Sequence, residues 1–304
     1  MPPKISVCIP TYNYAMYLSE AIESIQMQNI KDYELIVIDD SSTDNTVEIV
    51  KRYADHDNKI KFFVNSNNVG MVANWNLCLN KSSGEYIKFV FGDDFLLEQN
   101  ALEKMINLMD SDDSVALVCS SRLFIDCEAN KARKRGNFVG DVIIGGVDVI
   151  NKCLFSQKNL IGEPTAVMFR RSLAGRGFDD RYKQMVDLEM WFHLLEQGKL
   201  AYIDEPLCAF RVHANQQTAQ NRENMVSVDD LYSLYYDYMN KPYVNISDFA
   251  RFFIFYENAY IVFSKCYTGF LNKFIFFAFY PFYLIIRPIY RKFKKYVIKH
   301  MCLL

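Results

Sequence analysis

Two pairs of adjacent aspartates follow apolar runs of the sequence, at Asp39-Asp40 and at Asp93-Asp94. Adjacent carboxylates repel each other, and this repulsion is costly in an apolar setting unless a cation or an array of donors offsets it. A hard divalent ion that holds a diphosphate would offset it, and a carboxylate at such a position also accepts hydrogen bonds from a base or a ribose. Local structure is the alternative explanation, because Asp and Ser are favoured before helices and Gly-Asp-Asp is typical of turns.

The elements that would position these carboxylates are strands that alternate with helices. Short β-branched runs occur at residues 5–9, 34–38, 60–64, 86–91 and 115–119, with amphipathic helical patterns between them. This alternation predicts right-handed crossovers and an α/β fold with a mostly parallel, Rossmann-like sheet and flanking helices. Because such sheets bind ligands at the carboxyl ends of their strands, both aspartate pairs are expected in one crevice.

Periodicity is weaker in the second half of the chain. A basic stretch at 131–135 and Gly145-Gly146 predict a surface loop over residues 120–157. The later predicted elements are a strand at 166–169, a helix at 188–196 and short strands at 200–203 and 207–210. Beyond residue 224 the pattern is helical and rich in Tyr and Phe.

Charge is unevenly distributed along the 304 residues. The chain has 34 Lys and Arg against 36 Asp and Glu, yet the part after Glu257 holds eight Lys or Arg and no acid. The remaining, acidic part is a poor partner for nucleic acid, so no nucleic acid is expected as a partner. The eight cysteines lie mostly in apolar runs without Cys-x-x-Cys spacing, and no apolar leader precedes the first strand, so a reduced, cytoplasmic protein is expected.

The C-terminal region, 216–304, is predicted to be helical and to follow an α/β domain formed by residues 1–215. Its aromatic stretch is uncharged only over the 13 residues 274–286, and Pro281 interrupts it, whereas a membrane-spanning helix needs about 20 residues. We therefore expect an interfacial segment at 270–300 that lies on the inner face of a membrane through its basic and aromatic residues. Packing of this segment on the α/β domain is the alternative.

Two common nucleotide-binding motifs are missing from the sequence. The first predicted strand is followed by Pro10-Thr11-Tyr12-Asn13 rather than by a Gly-x-Gly-x-x-Gly turn, and no Gly-x-x-x-x-Gly-Lys loop occurs. A nicotinamide-dependent dehydrogenase and a P-loop kinase are therefore disfavoured.

Six motifs occur in the order and spacing of one known family. They are the segments 5–13, 33–44, 67–70, 74–76, 84–87 and 92–94. Together they resemble the family 2 glycosyltransferases, which adopt the GT-A fold, and the resemblance covers residues 5–213. It implies an enzyme that transfers a sugar from a nucleotide-sugar donor to an acceptor.

The resemblance also implies which residues form the donor site. The implied nucleotide-sugar contacts are Pro10, Thr11, Tyr12, Asn13, Asp39, Asp40, Asn67, Asp93 and Arg211. Tyr12 would stack on the base, and Asp40, with Asp39, would contact the base or the ribose. Asp94 would bind Mg or Mn that bridges the diphosphate, with His213 as a third ligand. A lone histidine is more often structural, so both roles of His213 stay open.

On the acceptor side, the resemblance gives Asp187 the role of general base. This carboxylate would remove a proton from the acceptor hydroxyl as it attacks the anomeric carbon from the face opposite the diphosphate, which inverts the anomeric configuration. Glu163 and Trp191 are the implied acceptor contacts. Without the resemblance, Asp187 is explained as an acid favoured by the dipole at a helix start.

The sequence departs from the family pattern at several positions. The metal motif lacks its leading Asp, Val186 replaces an acid that often precedes the catalytic Asp, and Trp75 stands where many relatives have Arg. The Gln-x-x-Arg-Trp motif of processive synthases is absent, since Trp75 and Trp191 are the only tryptophans. Transfer of a single sugar is therefore expected.

We expect a cytoplasmic enzyme, peripherally attached to the inner membrane, that extends a glycan or lipid-linked glycan in cell-surface polysaccharide synthesis. A UDP-sugar is the default donor. Two alternatives remain open. One is a catalytically silent scaffold that binds sugar nucleotides or glycans, and the other is a nucleotidyltransferase, which would release pyrophosphate from a nucleoside triphosphate.

Overall fold

One mixed sheet, with helices on both faces, contains all ten strands of the described chain. The computed structural model describes residues 2–126, 132–213, 216, 226–254, 281 and 284–296. The strands are β1 Ile5–Thr11, β2 Tyr33–Asp39, β3 Ile60–Val64, β4 Tyr86–Phe89, β5 Phe95–Leu96, β6 Val115–Asp126, β7 Ala132–Arg135, β8 Val142–Ile144, β9 Val167–Arg170 and β10 Lys199–Val212. Their order is β3-β2-β1-β4-β9-β6-β10-β5, with β7 paired to β6 and β8 to β10.

The helices cover both faces of this sheet. They are α1 Leu18–Gln26, α2 Thr46–Ala54, α3 Met71–Lys81, α4 Ala101–Ser111, α5 Gly146–Ser156, α6 Val186–Leu195 and α7 Val226–Met239. Residues 248–254 and 284–296 are also helical, and short 3-10 turns occur at Pro164–Ala166 and Arg171–Leu173.

The first half of the sheet is parallel, as the sequence predicts. Strands β3, β2, β1 and β4 run in the same direction, and every residue of β1 and β2 is buried because helices cover both sides. Alternate residues of β1 enter different cores. Cys8 packs with α3, α5 and α6, whereas Val7 and Ile9 pack with α1 and α4.

Strand β9 reverses direction between the two halves of the sheet. It pairs antiparallel with both β4 and β6, so the 3-10 turn that precedes it lies beside the residues that follow β4. The two short strands predicted at 200–203 and 207–210 are one long strand, β10, parallel to β6, and its register shifts between Ile203 and Pro206.

The loop predicted over residues 120–157 is wrong. Strand β6 continues to Asp126, β7 pairs back onto it, and β8 and α5 follow. Helix α5 buries Val149, Ile150 and Cys153 on one face, a helical spacing that the preceding glycine pair obscured. Only glycine fits at the first position of this helix, residue 146. A Cβ there would lie 2.1 Å from the carbonyl oxygens of Leu195, the last residue of α6, and of Gly198.

The described C-terminal helices pack on the same core as α6. Tyr290, from the helical residues 284–296, is buried and stacks on Phe253 with ring centroids 4.2 Å apart. No helix in the described ranges is long and apolar enough to cross a membrane. Of the interfacial segment predicted at 270–300, residues 281 and 284–296 are described, and the rest falls outside the described residues.

The cysteines of the core are free thiols, as expected. Cys8, Cys78, Cys119, Cys153 and Cys208 are buried and unpaired by disulfides. The other three cysteines of the sequence fall outside the described residues.

Candidate active site

The turns after β1 and β2 bind each other and form one wall of a crevice at the carboxyl ends of the strands. The backbone N–H of Asn13 donates to Ser42 Oγ at 2.8 Å, and Asn13 Oδ1 accepts the N–H of Thr43 at 2.8 Å. Asn13 and Ser41 have φ values of 57° and 64°, which are costly for residues other than glycine. The mutual hydrogen bonds therefore hold this backbone in an otherwise unfavourable conformation.

The carboxylates of Asp39 and Asp40 are buried and bind the chain itself. Asp39 accepts hydrogen bonds from the N–H and the hydroxyl of Ser42. Asp40 accepts the N–H groups of residues 69 and 70 at 2.9 Å each and Asn65 Nδ2 at 2.8 Å. Both acids thus organise the loops beside the crevice, and a nucleotide would use their remaining lone pairs.

Next to these turns, Thr11 has a buried hydroxyl that lacks a hydrogen-bond partner within the described part of the chain. It faces Gly92, where a Cβ would lie 3.3 Å from Thr11 Oγ1. Tyr12 is 44% exposed, Asn67 is also exposed, and Pro10 is buried within β1. Because an unpaired buried hydroxyl is unfavourable, a ligand that satisfies Thr11 is expected to bind here.

Asp93 is paired with His213 at the end of β10. His213 Nε2 lies 3.0 Å from Asp93 Oδ2, and its ring packs on Tyr17 with centroids 5.3 Å apart. Arg211 Nε donates to the backbone carbonyl of Asp93 at 3.1 Å, and its Nη2 donates to Glu20 at 2.5 Å. The buried Arg211 therefore fixes the backbone of the acidic turn.

Asp94 is the most deeply buried acid of this turn, at 1% exposed. Its Oδ1 accepts the N–H of Arg211 at 3.0 Å, and its Oδ2 accepts the hydroxyl of Thr165 at 2.6 Å. Burial, reinforced by the charge of Asp93, raises the pKa of Asp94 well above its usual range. Because Thr165 belongs to the 3-10 turn before β9, this contact connects the acidic turn to that segment.

A buried lysine on β4 holds the same 3-10 turn. Lys88 Nζ donates to the carbonyl oxygen of Thr165 and, at 3.4 Å, to that of Val167. Burial lowers the pKa of Lys88 to about 8. The strand β4 and the segment that contains Glu163 are therefore fixed relative to each other by side-chain contacts as well as by the β4–β9 pairing.

Asp187 lies in the first turn of α6, close to Glu163. The pKa of Asp187 is raised to about 7, mainly by burial and also by the negative charge of Glu163, against the opposing hydrogen bond from the N–H of Leu188 at 2.7 Å. Glu163 forms an ion pair with Arg122 of β6. A carboxylate with this pKa accepts a proton near neutral pH, as a general base must.

The start of α6 is held by a residue of the C-terminal region. Asp230 of α7 is buried, and its Oδ2 accepts three consecutive backbone N–H groups, those of Lys183 at 2.6 Å, Gln184, and Met185 at 3.1 Å. These groups precede the helix that contains Asp187. Helix α7 is thus part of the structure that positions the candidate base.

Trp191 lies in the core and not at the crevice surface. It is 0% exposed, and its indole N–H donates to the carbonyl of Gly162 at 3.0 Å. The side chain expected to contact an acceptor therefore supports, from the interior, the segment that precedes Glu163.

A divalent cation fits the ligand types of Asp93 and His213. A carboxylate oxygen and an imidazole nitrogen 3.0 Å apart are donors that Mn accepts. Both oxygens of Asp94, the expected metal ligand, already accept hydrogen bonds from the chain. Within the described ranges, no three His, Cys, Asp or Glu side chains converge to hold a metal ion.

The structure brings the two sides of the expected site together through residues that sequence reasoning missed. Thr165 joins Asp94 to the segment of Glu163, and Arg122 pairs with Glu163 near Asp187. A signal was present, because Lys88 is the single charged residue of β4 and Arg122 is the only cation of β6. Such residues need a buried partner, although the sequence does not say which.

Comparisons with known proteins show the family of this chain. Residues 6–178 match the family described as Glycosyl transferase family 2. The chain is 32% identical over 212 residues to the GalNAc(5)-diNAcBac-PP-undecaprenol beta-1,3-glucosyltransferase of Campylobacter jejuni, a match that covers 69% of this chain and 64% of that protein.

Two solved structures share the fold. S. aureus TarS 1-349 in complex with UDP-GlcNAc superposes with a TM-score of 0.64 at 19% identity, over 86% of this chain and 73% of that one. The mannosyltransferase PcManGT of Pyrobaculum calidifontis, in complex with GDP-Man and Mn2+, superposes with a TM-score of 0.59 at 15% identity, over 99% and 85% of the two chains.

Proposed function

This chain belongs to glycosyl transferase family 2 and is a glycosyltransferase, and we propose that it moves one sugar from a nucleotide-sugar donor to a glycan or lipid-linked glycan, with inversion. One observation supports this proposal above the others. Thr165 binds Asp94, next to the Asp93–His213 pair. Besides burial, the charge of Glu163, two residues earlier in the chain, raises the pKa of both Asp94 and Asp187, so the groups proposed for the donor and for the acceptor surround one short segment.

The donor side would hold the nucleotide diphosphate. The orphaned hydroxyl of Thr11 and the exposed ring of Tyr12 offer a hydrogen bond and a stacking face to the nucleoside. Asp93 and His213 would hold Mg or Mn, and Asp94 would keep their turn in place. The cation would neutralise charge on the departing nucleoside diphosphate. The bound UDP-GlcNAc and GDP-Man of the two structural relatives support a nucleotide-sugar donor.

The acceptor side would activate the attacking hydroxyl. Asp187 would accept the hydroxyl proton as the oxygen bonds to the anomeric carbon and the bond to the diphosphate breaks. Glu163 would orient the acceptor, because its partner Arg122 and the Lys88–Thr165 contact fix its segment. A single displacement of this kind inverts the anomeric centre.

The acceptor we propose belongs to cell-surface polysaccharide synthesis. The Campylobacter relative is named for transfer to a PP-undecaprenol-linked glycan, which supports a lipid-linked acceptor for this chain. The helical residues 284–296 support a site at a membrane surface. This helix exposes Ile285, Ile289 and Phe293 on one face, at 74%, 68% and 52%, and contains five Lys or Arg and no acid.

The proposal is tested by a binding screen of UDP, GDP, dTDP and CMP and their sugars, with and without Mn, by calorimetry. We expect one nucleoside diphosphate to bind, with about tenfold or greater enhancement by Mn, since a cation that bridges the diphosphate adds a strong interaction. Asp93→Asn and His213→Gln should abolish the enhancement. Asp55→Asn, which changes an exposed acid on another part of the surface, should preserve it.

The reaction product separates the alternatives. A glycosyltransferase releases the nucleoside diphosphate from the sugar donor that binds, whereas a nucleotidyltransferase releases pyrophosphate from a nucleoside triphosphate. If the folded wild type binds no nucleotide, the silent scaffold is favoured. If Mn still enhances nucleoside diphosphate binding in Asp93→Asn, the proposed metal site is wrong.

A further inference from the structure

A two-stranded ribbon leads from the acceptor side of the crevice to the protein surface. Along β6, Arg122 and Phe124 point to the same face, and the register of β7 places Arg135 opposite Arg122 and Arg133 opposite Phe124. Arg122 is the partner of Glu163. The ribbon therefore starts beside the candidate acceptor contacts and runs outward for roughly 13 Å, the length of four strand residues.

The outer strand of this ribbon is strongly basic on an otherwise acidic body. All four residues of β7 are exposed, and three consecutive ones, Arg133, Lys134 and Arg135, are cations. Lys134 is neutralised by Asp204 at 2.9 Å. Neither Arg133 nor Arg135 forms an ion pair with another residue in the described ranges, and Arg135 lies over the ring of Phe124, 4.6 Å from its centroid.

An apolar groove adjoins these two arginines. Phe124 and Phe210 pack with ring centroids 5.0 Å apart, and Val212, on the neighbouring strand, is 46% exposed. The groove has a volume of about 400 Å³ and is lined by Phe124, Ile125, Asp126, Ala132, Arg133 and Val212. Asp126 is the single acid among these residues, and it lies at the C-terminal end of β6, four residues beyond Arg122.

We propose that the β6–β7 ribbon is an acceptor subsite for the diphosphate and first isoprenoid units of a polyprenyl-diphosphate-linked sugar. The inference rests on the proposed function and specifies its acceptor. The order along the ribbon matches the order of groups in such a molecule. The sugar would lie at Glu163 and Asp187, the diphosphate on Arg135 and Arg133, and the isoprenoid over Phe124 and Val212. Two guanidinium groups complement a diphosphate, and the aromatic groove complements the lipid.

The test uses geranyl diphosphate as a soluble probe, with calorimetry on the full chain in EDTA so that no divalent metal holds a diphosphate at the donor side. We expect wild type to bind geranyl diphosphate about tenfold or more tightly than the double variant Arg133→Gln/Arg135→Gln, with a steeper dependence on salt. Geraniol and inorganic pyrophosphate should each bind more weakly than geranyl diphosphate.

A matched control separates this subsite from general charge attraction. Lys51→Gln/Arg52→Gln removes two exposed cations from α2, which packs at the opposite end of the sheet beside β3, and should leave the affinity unchanged. The proposal is overturned if this control loses as much affinity as the ribbon variant, or if the ribbon variant binds like wild type. Equal affinity for pyrophosphate and geranyl diphosphate overturns its lipid component.

The same variants distinguish this inference from the proposed function. Mn-dependent binding of the nucleoside diphosphate should be unchanged in Arg133→Gln/Arg135→Gln, because the ribbon lies on the acceptor side. If wild type lacks that binding but still binds geranyl diphosphate through the two arginines, the ribbon subsite stands and the proposed donor chemistry fails.

Discussion

At the scale of single residues, the raised pKa of Asp187 favours acceptance of a proton at neutral pH but lowers stability. Its pKa of about 7 makes the carboxylate a better proton acceptor than an exposed aspartate. The same burial disfavours the charged form in the folded protein. The residue that is proposed to start the reaction is thus also a site where the fold is weakened above neutral pH.

Asp187→Asn should lower kcat by about 10² to 10⁴-fold, because an amide of the same shape does not accept the proton. In wild type, kcat should rise with pH and level off above about 7, where Asp187 is ionised. Steady-state assays from pH 5.5 to 8.5 measure both effects. Asp180→Asn, an exposed neighbour, is the control, and full activity in Asp187→Asn would rule out its role as the base.

Asp187→Asn should be more stable than wild type at neutral pH, although its kcat is lower. The pKa of Asp187 is about 3.8 when unfolded and about 7 when folded, so the folded state holds the proton more tightly and loses stability as pH rises from about 4 to 7. Asp187→Asn removes this loss, and its Tm should exceed that of wild type by about 8 °C at pH 8, since about three pKa units correspond to about 4 kcal/mol. Calorimetric scans should show the difference vanish at pH 4, and a constant difference would contradict the assignment.

The sequence identifies the acids of the site but not their contacts. Asp93, Asp94 and Asp187 stand in recognisable motifs, and the order of strands and helices predicts that they face one crevice. The contact of Thr165 with Asp94 spans 71 residues. This contact forms because β9 lies antiparallel beside β4. The short apolar run that predicts β9 does not show in which direction the strand runs within the sheet.

At the scale of elements, helix α6 depends on helix α7 for the position of its first turn. The buried Asp230 carboxylate satisfies three N–H groups that precede α6, which would otherwise lack acceptors in the interior. The family match ends at residue 178, and Asp230 lies beyond it. Helix α7 therefore contributes to the site from outside the matched segment.

Asp230→Ala should lower kcat by about tenfold while donor affinity stays unchanged, because the start of α6 shifts and the donor turns do not. The apparent pKa of the kcat profile should fall below about 7 as Asp187 becomes more hydrated. Asp230→Asn, which keeps one acceptor oxygen, should restore part of the rate.

A control on the same helix is Asp237→Ala. Asp237 accepts the hydroxyl of Tyr182 at 2.9 Å and pairs with the exposed Arg181, so its loss should leave the pH profile in place. If Asp230→Ala changes stability alone, with an unaltered pH profile, Asp230 has no positioning role.

The regular elements were predictable where their patterns were strong. The parallel strands β1 to β4 are rich in apolar residues, and their positions agree with the sequence prediction. The elements within the predicted loop at 120–157 were not recognised for three reasons. Strand β7 is basic, β8 has only three residues, and α5 begins at a glycine that is required by close packing. Periodicity does not detect a strand without alternating apolar residues or a helix whose start is set by a tight contact.

At the scale of the whole molecule, the helical residues 284–296 have two different faces. Tyr290 anchors one face on Phe253 in the core, which is the packing alternative considered from the sequence. The other face exposes apolar side chains beside basic ones. Packing on the α/β domain and contact with a membrane are thus compatible, because different residues serve each.

Ile289→Glu should reduce sedimentation with vesicles of phosphatidylglycerol and phosphatidylcholine by severalfold, because it places a charge within the apolar face and opposes the anionic lipids. Val139→Glu is the matched control, since both side chains are 68% exposed. Wild type should bind less in vesicles of phosphatidylcholine alone. Binding that is equal for both variants and both lipid mixtures would exclude this face as the contact.

Strand β7 also bears on whether the protein stays monomeric in concentrated solution. In the part of the chain that the structure describes, β7 pairs with β6 on one side and has no strand on the other, and a free edge of this kind invites pairing with the edge of a second copy. The cations of β7 repel an identical strand and so oppose such edge-to-edge association. Replacing Arg133 and Arg135 with valine would therefore remove a barrier to aggregation, whereas glutamine keeps the edge polar.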